Sequence, residues 1–95
     1  MLPREDYPMV INTELQQVEF EIQKLEFRLE AADDEISDEY QDLIDVMRTK
    51  LQQARKKLKA LEKAKDENWD EVKADLDKTR TALKSMLSST VAQVG

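Results

Sequence analysis

The side chains able to do chemistry in this chain are carboxylates, ammonium and guanidinium groups, and hydroxyls; there is no His and no Cys. Without imidazole, the usual general base, metal ligand and switch near neutral pH are missing. Without thiols there is no disulfide framework and no thiolate nucleophile. Ser37, Ser85, Ser88 and Ser89 therefore lack the partner that would activate them. Asp33, Asp34, Glu35, Asp38 and Glu39 form an acidic cluster that could attract calcium, but it lacks the Gly turn and ligand spacing of a calcium loop. The other carboxylates fall on helix faces where nothing is expected to raise a pKa for proton transfer. Arg55, Lys56, Lys57 and Lys59 spread over several helix faces. They read either as a solvated helix end or as a contact for acidic partners or lipid head groups. We therefore expect no catalytic residue, no metal site, no cofactor and no enzyme activity. Binding through a surface is what remains, and the chain must build that surface from helices.

With 95 residues, 38% charged and 40% hydrophobic, the chain suits amphipathic helices in a single domain spanning 1–95. The one Gly is the last residue and the two Pro stand at positions 3 and 8, so Met9 to Val94 contains no helix breaker. Alternating β-branched runs are absent, and no sheet is expected. A net charge of −6 argues against nucleic acid as the main partner. No apolar run resembles a signal or approaches the roughly 20 residues needed to span a bilayer. The expectation is a soluble cytoplasmic protein.

Ile11, Leu15, Val18, Ile22, Leu25, Leu29, Ala32 and Ile36 recur at alternating spacings of four and three. This heptad stripe lies along one side of a helix and needs partner helices to cover it. A second stripe, offset by one residue, runs through Tyr40, Ile44, Met47, Leu51, Ala54, Leu58 and Leu61; a third runs through Trp69, Val72, Leu76, Thr79, Leu83 and Met86. The offset signals either a stutter in one helix or a turn between two. Charge favours turns. Acids from Glu30 to Asp45 give way to bases from Arg48 to Lys65, and the order then resets at Asp66. Acids at the start and bases at the end of a segment complement the helix macrodipole. Ser37 has the character of an N-cap, and Asn68 with Glu71 has the spacing of a capping box.

The expected fold is all-α: an antiparallel three-segment helical bundle with helices at about 9–33, 38–65 and 69–90 and an extended arm at 1–8. In the arm, Leu2 and Tyr7 either fray or fold back on the bundle end. The basic end of the second segment should lie beside the acidic start of the third, and beside Glu14, Glu19 and Glu21 of the first. Neither turn contains Gly or Pro, so the alternative is a hairpin whose second helix runs through 65–68 and is completed by dimerisation.

The back of the first segment carries Phe20 and Phe27, one heptad apart and about 170° from the seam at roughly 100° per residue. With Gln16 and Gln23 they form a second ridge. It reads either as tolerated surface aromatics or as a contact ridge for a second molecule. Trp69, the sole Trp, reads as bundle-end packing or as a partner hot spot.

Glu39-Tyr40, the stretch from Lys50 to Leu58, Trp69-Asp70-Glu71-Val72-Lys73 and Thr81-Ala82-Leu83-Lys84 together resemble small bacterial coiled-coil proteins, some of them labelled stress-response. The resemblance covers about residues 30–87. The chain differs from that pattern in lacking the Gly often found before the Trp, and in carrying the two Phe. The resemblance implies a helical, self-associating protein and brings no catalytic residues.

The expected function is a helical protein-interaction, scaffold or stress-linked accessory role. It would act through coiled-coil self-association as a homo-oligomer, most simply a dimer, with an unknown protein partner also possible. The alternative is reversible binding of amphipathic helices to a lipid surface.

Overall fold

Pro8 stands in the first turn of the first helix, where its fixed φ fits and its missing N–H leaves no bond unmade. The computed structural model describes the backbone of residues 4–32 and 34–94, and their side chains except those of Asp34, Ile36 and Val94. There are three helices: α1, Tyr7–Glu30; α2, Asp34–Lys63; and α3, Trp69–Val94. No strand occurs among the described residues. The chain is an all-α helical bundle with extents of 51 × 18 × 17 Å.

The stripes meet as the heptad spacing requires. Ile11, Leu15, Val18, Ile22, Leu25 and Leu29 of α1 pack with Ile44, Met47, Leu51, Ala54, Leu58 and Leu61 of α2 and with Leu76 and Leu83 of α3. Tyr40, Trp69, Val72, Met86, Leu87 and Val91 close the edges of this core. Two buried hydroxyls interrupt the α3 stripe, and both have partners. Thr90 Oγ1 donates to the Met86 carbonyl at 2.8 Å. Thr79 Oγ1 donates to the Asp75 carbonyl and accepts from Lys57 Nζ at 2.8 Å.

Ion pairs across the seams give the helix directions. Arg55 reaches Glu19 at 2.7 Å, and Arg48 pairs with Glu26, so α1 and α2 run antiparallel. Tyr7 bonds to Asp77, and Glu14 meets Lys84 at 2.7 Å, so α1 and α3 run parallel. Lys57 lies 3.3 Å from Asp75, joining the basic end of α2 to the acidic start of α3.

Several expectations need correction. Helix α1 begins at Tyr7, so no extended arm reaches residue 8; Tyr7 folds against the bundle end, while Leu2 lies outside the described residues. The first helix ends at Glu30 rather than near 33. Its end tightens, with the Ala31 N–H donating to the Arg28 carbonyl and the Ala32 N–H to the Leu29 carbonyl, both at 3.2 Å. Helix α2 begins at Asp34, so Ser37 lies inside it and is not its cap. Asp33, of the acidic cluster, lies outside the described residues. Glu14 pairs with α3, not α2. It precedes core Leu15 and so flanks the stripe on the α3 side, whereas Glu19 follows core Val18 and flanks it on the α2 side. Glu21, on the same side as Glu14, pairs with Lys24 of its own helix at 3.1 Å.

A turn, not a continuous helix, separates α2 from α3, with Ala64 to Asn68 outside both. It is built without Gly and without positive φ. The Ala64 N–H donates to the Leu61 carbonyl at 3.1 Å, ending α2. The Lys65 N–H then donates to Asn68 Oδ1 at 3.0 Å, while the Asn68 carbonyl accepts the first bond of α3 from the Val72 N–H at 3.0 Å. The Asn68 side chain thus reaches back into the turn, not forward to Glu71 as a capping box would. Replacing Asn68 by Ala should cost about 1 kcal/mol. In thermal unfolding that is a drop of about 4–8 °C for a domain of this size; an unchanged Tm would show that this bond does not hold the turn.

Candidate functional site

Charged groups gather most densely between α1 and α3. Arg80 Nε donates to Glu14 Oε2 at 2.8 Å, and its Nη1 donates to Asp77 Oδ1 at 2.6 Å. Lys84 approaches Glu14 at 2.7 Å, Lys73 donates to Asp77 at 3.0 Å, and the Tyr7 hydroxyl donates to Asp77. Burial alone would raise the Glu14 pKa, but hydrogen bonds from Lys84 and Arg80 together with their charges bring it below the ordinary Glu value. Asp77 behaves likewise: burial is outweighed by Tyr7, Lys73 and Arg80. Burial, then the bond to Asp77, raises the Tyr7 pKa.

Each carboxylate in this ladder is matched by cations, which suits a clamp between helices better than a proton-transfer site. Lys73, Asp77, Arg80 and Lys84 recur at spacings of four, three and four along α3, but Tyr7 and Glu14 come from the other end of the chain, and no local spacing announced their part in it. Among the described residues no group of three or more acidic, His or Cys side chains is placed to hold a metal ion. No helix there is long and apolar enough to cross a membrane.

At one end of the bundle, Trp69 is half-buried. Its ring meets Tyr7 edge-on, with centroids 5.9 Å apart, and the Arg4 guanidinium lies 4.5 Å above it. Arg4 also bonds to Asp66 at 2.7 Å, which ties the start of the chain to the second turn. These contacts place Trp69 in bundle-end packing.

Phe20 and Phe27 lie elsewhere, on the outer face of α1. They are 54% and 74% exposed, and Gln16 and Gln23 beside them are exposed too. Lys24 Nζ hangs 5.2 Å from the Phe20 centroid, and its stem, with those of Gln23 and Arg28, lines a hollow beside Phe27. The ridge is longer than the sequence reading had it. Met9, 69% exposed, and exposed Thr13 continue it by one heptad. Met9, Thr13, Gln16, Phe20, Gln23 and Phe27 alternate in spacings of four and three, a heptad-spaced ridge in which Met9, Phe20 and Phe27 are apolar and the other three polar. That spacing is present in the sequence, where Met9 stands at the expected helix start. The ridge gathers Phe20, Phe27, Gln16 and Gln23; Trp69 lies at the bundle end, where it shares a hollow with Met9.

Comparison of the chain with known protein families, characterised proteins and solved structures finds no match. Fold and surface together define a class: an up-down-up three-helix bundle with exposed aromatic side chains at heptad spacing on the outer face of its first helix.

Proposed function

We propose that this protein is a non-enzymatic helical interaction module that self-associates through the outer face of α1 and serves as a scaffold or accessory protein. One observation carries this reading: Phe20 and Phe27 face outward in register on a helix whose opposite stripe is already fully buried. Neither ring belongs to the buried core.

The magnitudes suit reversible association. The exposed parts of both rings in two copies amount to roughly 500 Å² of aromatic surface. At about 25 cal/mol per Å² that is worth about 12 kcal/mol gross, against an association cost of about 4–15 kcal/mol. The balance favours a dimer that depends on concentration rather than an obligate one. A stress-linked role rests on the resemblance alone. Lipid-surface binding would require opening the core, and it would bring the acids of the α2 start against an anionic membrane.

Sedimentation equilibrium tests the reading. The wild type should approach twice the chain mass as concentration rises, and Phe20→Ser/Phe27→Ser should stay monomeric with its helicity unchanged. A double variant with the wild-type mass at every concentration would remove the ridge from the contact. Flotation with anionic vesicles would move the reading to lipid.

A further inference from the structure

On the reading that α1 is the contact, we infer that the second copy docks antiparallel, in the register that sets Met9 of each chain against Phe27 of the partner subunit. Three observations converge on this arrangement.

The first is the order of residues on the stripe. In an antiparallel pair the same register sets Met9 opposite Phe27, Thr13 opposite Gln23 and Gln16 opposite Phe20, each twice, which is the self-complementarity a two-fold interface requires. Every aromatic ring then faces a flexible side chain that can pack on it, and Met beside an aromatic ring is favourable. The parallel alternative would pair Phe20 with Phe20 and Phe27 with Phe27, but it would also stack Gln16 on Gln16 and Gln23 on Gln23 beside them, leaving polar amides to pair with each other.

The second is charge. Glu30, Glu35, Asp38, Glu39, Asp42 and Asp45 lie at the end of the bundle where α1 stops and α2 starts. The bases Arg55, Lys56, Lys57, Lys59 and Lys63 lie toward the opposite end. The acidic start of α3, with Asp66, Glu67, Asp70 and Glu71, shares that end, which is therefore mixed in sign. Parallel docking would place two acidic ends side by side; antiparallel docking keeps them apart and sets each against a mixed end.

The third is shape. Met9, Pro8 and Asn12 border a hollow that continues to Leu61 and Trp69, with Arg4, Glu5 and Glu62 at its rim. Phe27 sits at the other end of α1 beside its own apolar hollow. Antiparallel docking brings the projecting ring to the first hollow and the Met9 side chain to the second, as knobs enter holes.

The absence of native Cys makes the test clean. Full-length Thr13→Cys and Gln23→Cys leave Met9 and both Phe in place, and both positions are exposed. Each is treated with a short bis-maleimide alone and as an equimolar mixture; Met9→Cys with Phe27→Cys serves as a second pair. The mixtures should yield cross-linked dimer well above either variant alone. Met9 and Phe27 are about 27 Å apart along a helix rising about 1.5 Å per residue, so parallel chains could not be bridged between them. Cross-linking of Gln23→Cys or Phe27→Cys alone at or above the level of the mixture would overturn the antiparallel register while leaving self-association standing. No product in any arm, with a monomer mass in sedimentation, would overturn both.

Discussion

Replacing Leu83 by Ala should lower the unfolding free energy by about 3–5 kcal/mol, because a fully buried side chain is removed and the surrounding helices relax only partly. Leu83 is 0% exposed and belongs to the one cluster that joins all three helices. A domain of this length has about 5–14 kcal/mol of stability in total. The loss is therefore a large share of it, equivalent to about 15–30 °C in Tm. Chemical denaturation followed by circular dichroism measures it directly. The result also separates two architectures. In a bundle closed within one chain, the cost is the same at every protein concentration. In a hairpin whose long helix is covered by another chain, it would grow on dilution. The contrast with the surface is equally useful: Phe20→Ser/Phe27→Ser should change dilute stability little, because those rings are not part of the core. A loss below about 1 kcal/mol for Leu83→Ala would mean that α3 does not seal the seam.

Arg80→Met should cost about 2–3 kcal/mol near neutral pH. This is less than the 3–5 kcal/mol for breaking a fully buried pair, because side chains in the cluster retain a fifth to a third of their exposure. The guanidinium holds Glu14 and Asp77 together and lies 3.4 Å from the Tyr7 hydroxyl; Met keeps much of the stem but removes the charge. The effect should depend on pH in a defined direction. Glu14 and Asp77 have folded pKa values below their ordinary ones, so the stability they confer is present above about pH 4 and is lost as pH falls through the lowered values. In the variant the burial penalty is less well offset, the carboxylates protonate earlier, and protonation relieves the mismatch. The gap between variant and wild type should therefore be widest near neutrality and close in acid. Tyr7 acts on the other limb. Its raised pKa adds stability below its ordinary value of about 10, lost as pH rises through the folded value. Urea unfolding at a series of pH values tests both limbs. A gap that stays constant down to acid would show that Arg80 contributes through packing of its stem and not through its charge.

How far the chain can be read without coordinates varies from residue to residue. The spacing of Ile11, Leu15, Val18, Ile22, Leu25 and Leu29 is legible because a helix converts sequence intervals directly into one face. The same holds for Ile44 to Leu61, and for the Phe20 and Phe27 ridge opposite the first stripe. Helix ends were less legible. Ser37 has the chemistry of a cap, yet α2 starts before it; the Asn68 side chain turns back to Lys65 rather than toward Glu71. Caps depend on single hydrogen bonds of about 1 kcal/mol, which tertiary closure easily overrides.

Residue intervals alone specify a helical chain, three stripes that must be covered, and a Phe20 and Phe27 ridge on the back of the first helix. Those are periodic properties, and periodicity is local. The folded chain alone shows that residues 64–68 turn, that Glu14 binds α3 while Glu19 binds α2, and that Tyr7 closes the bundle against Trp69 and Asp77. The pairs and the closure depend on groups brought together from distant parts of the chain; the turn uses local bonds but is selected over a continuous helix by the packing of Leu76 and Leu83 into the core. Their energies are set by how deeply the helices bury them, which no interval along the sequence records.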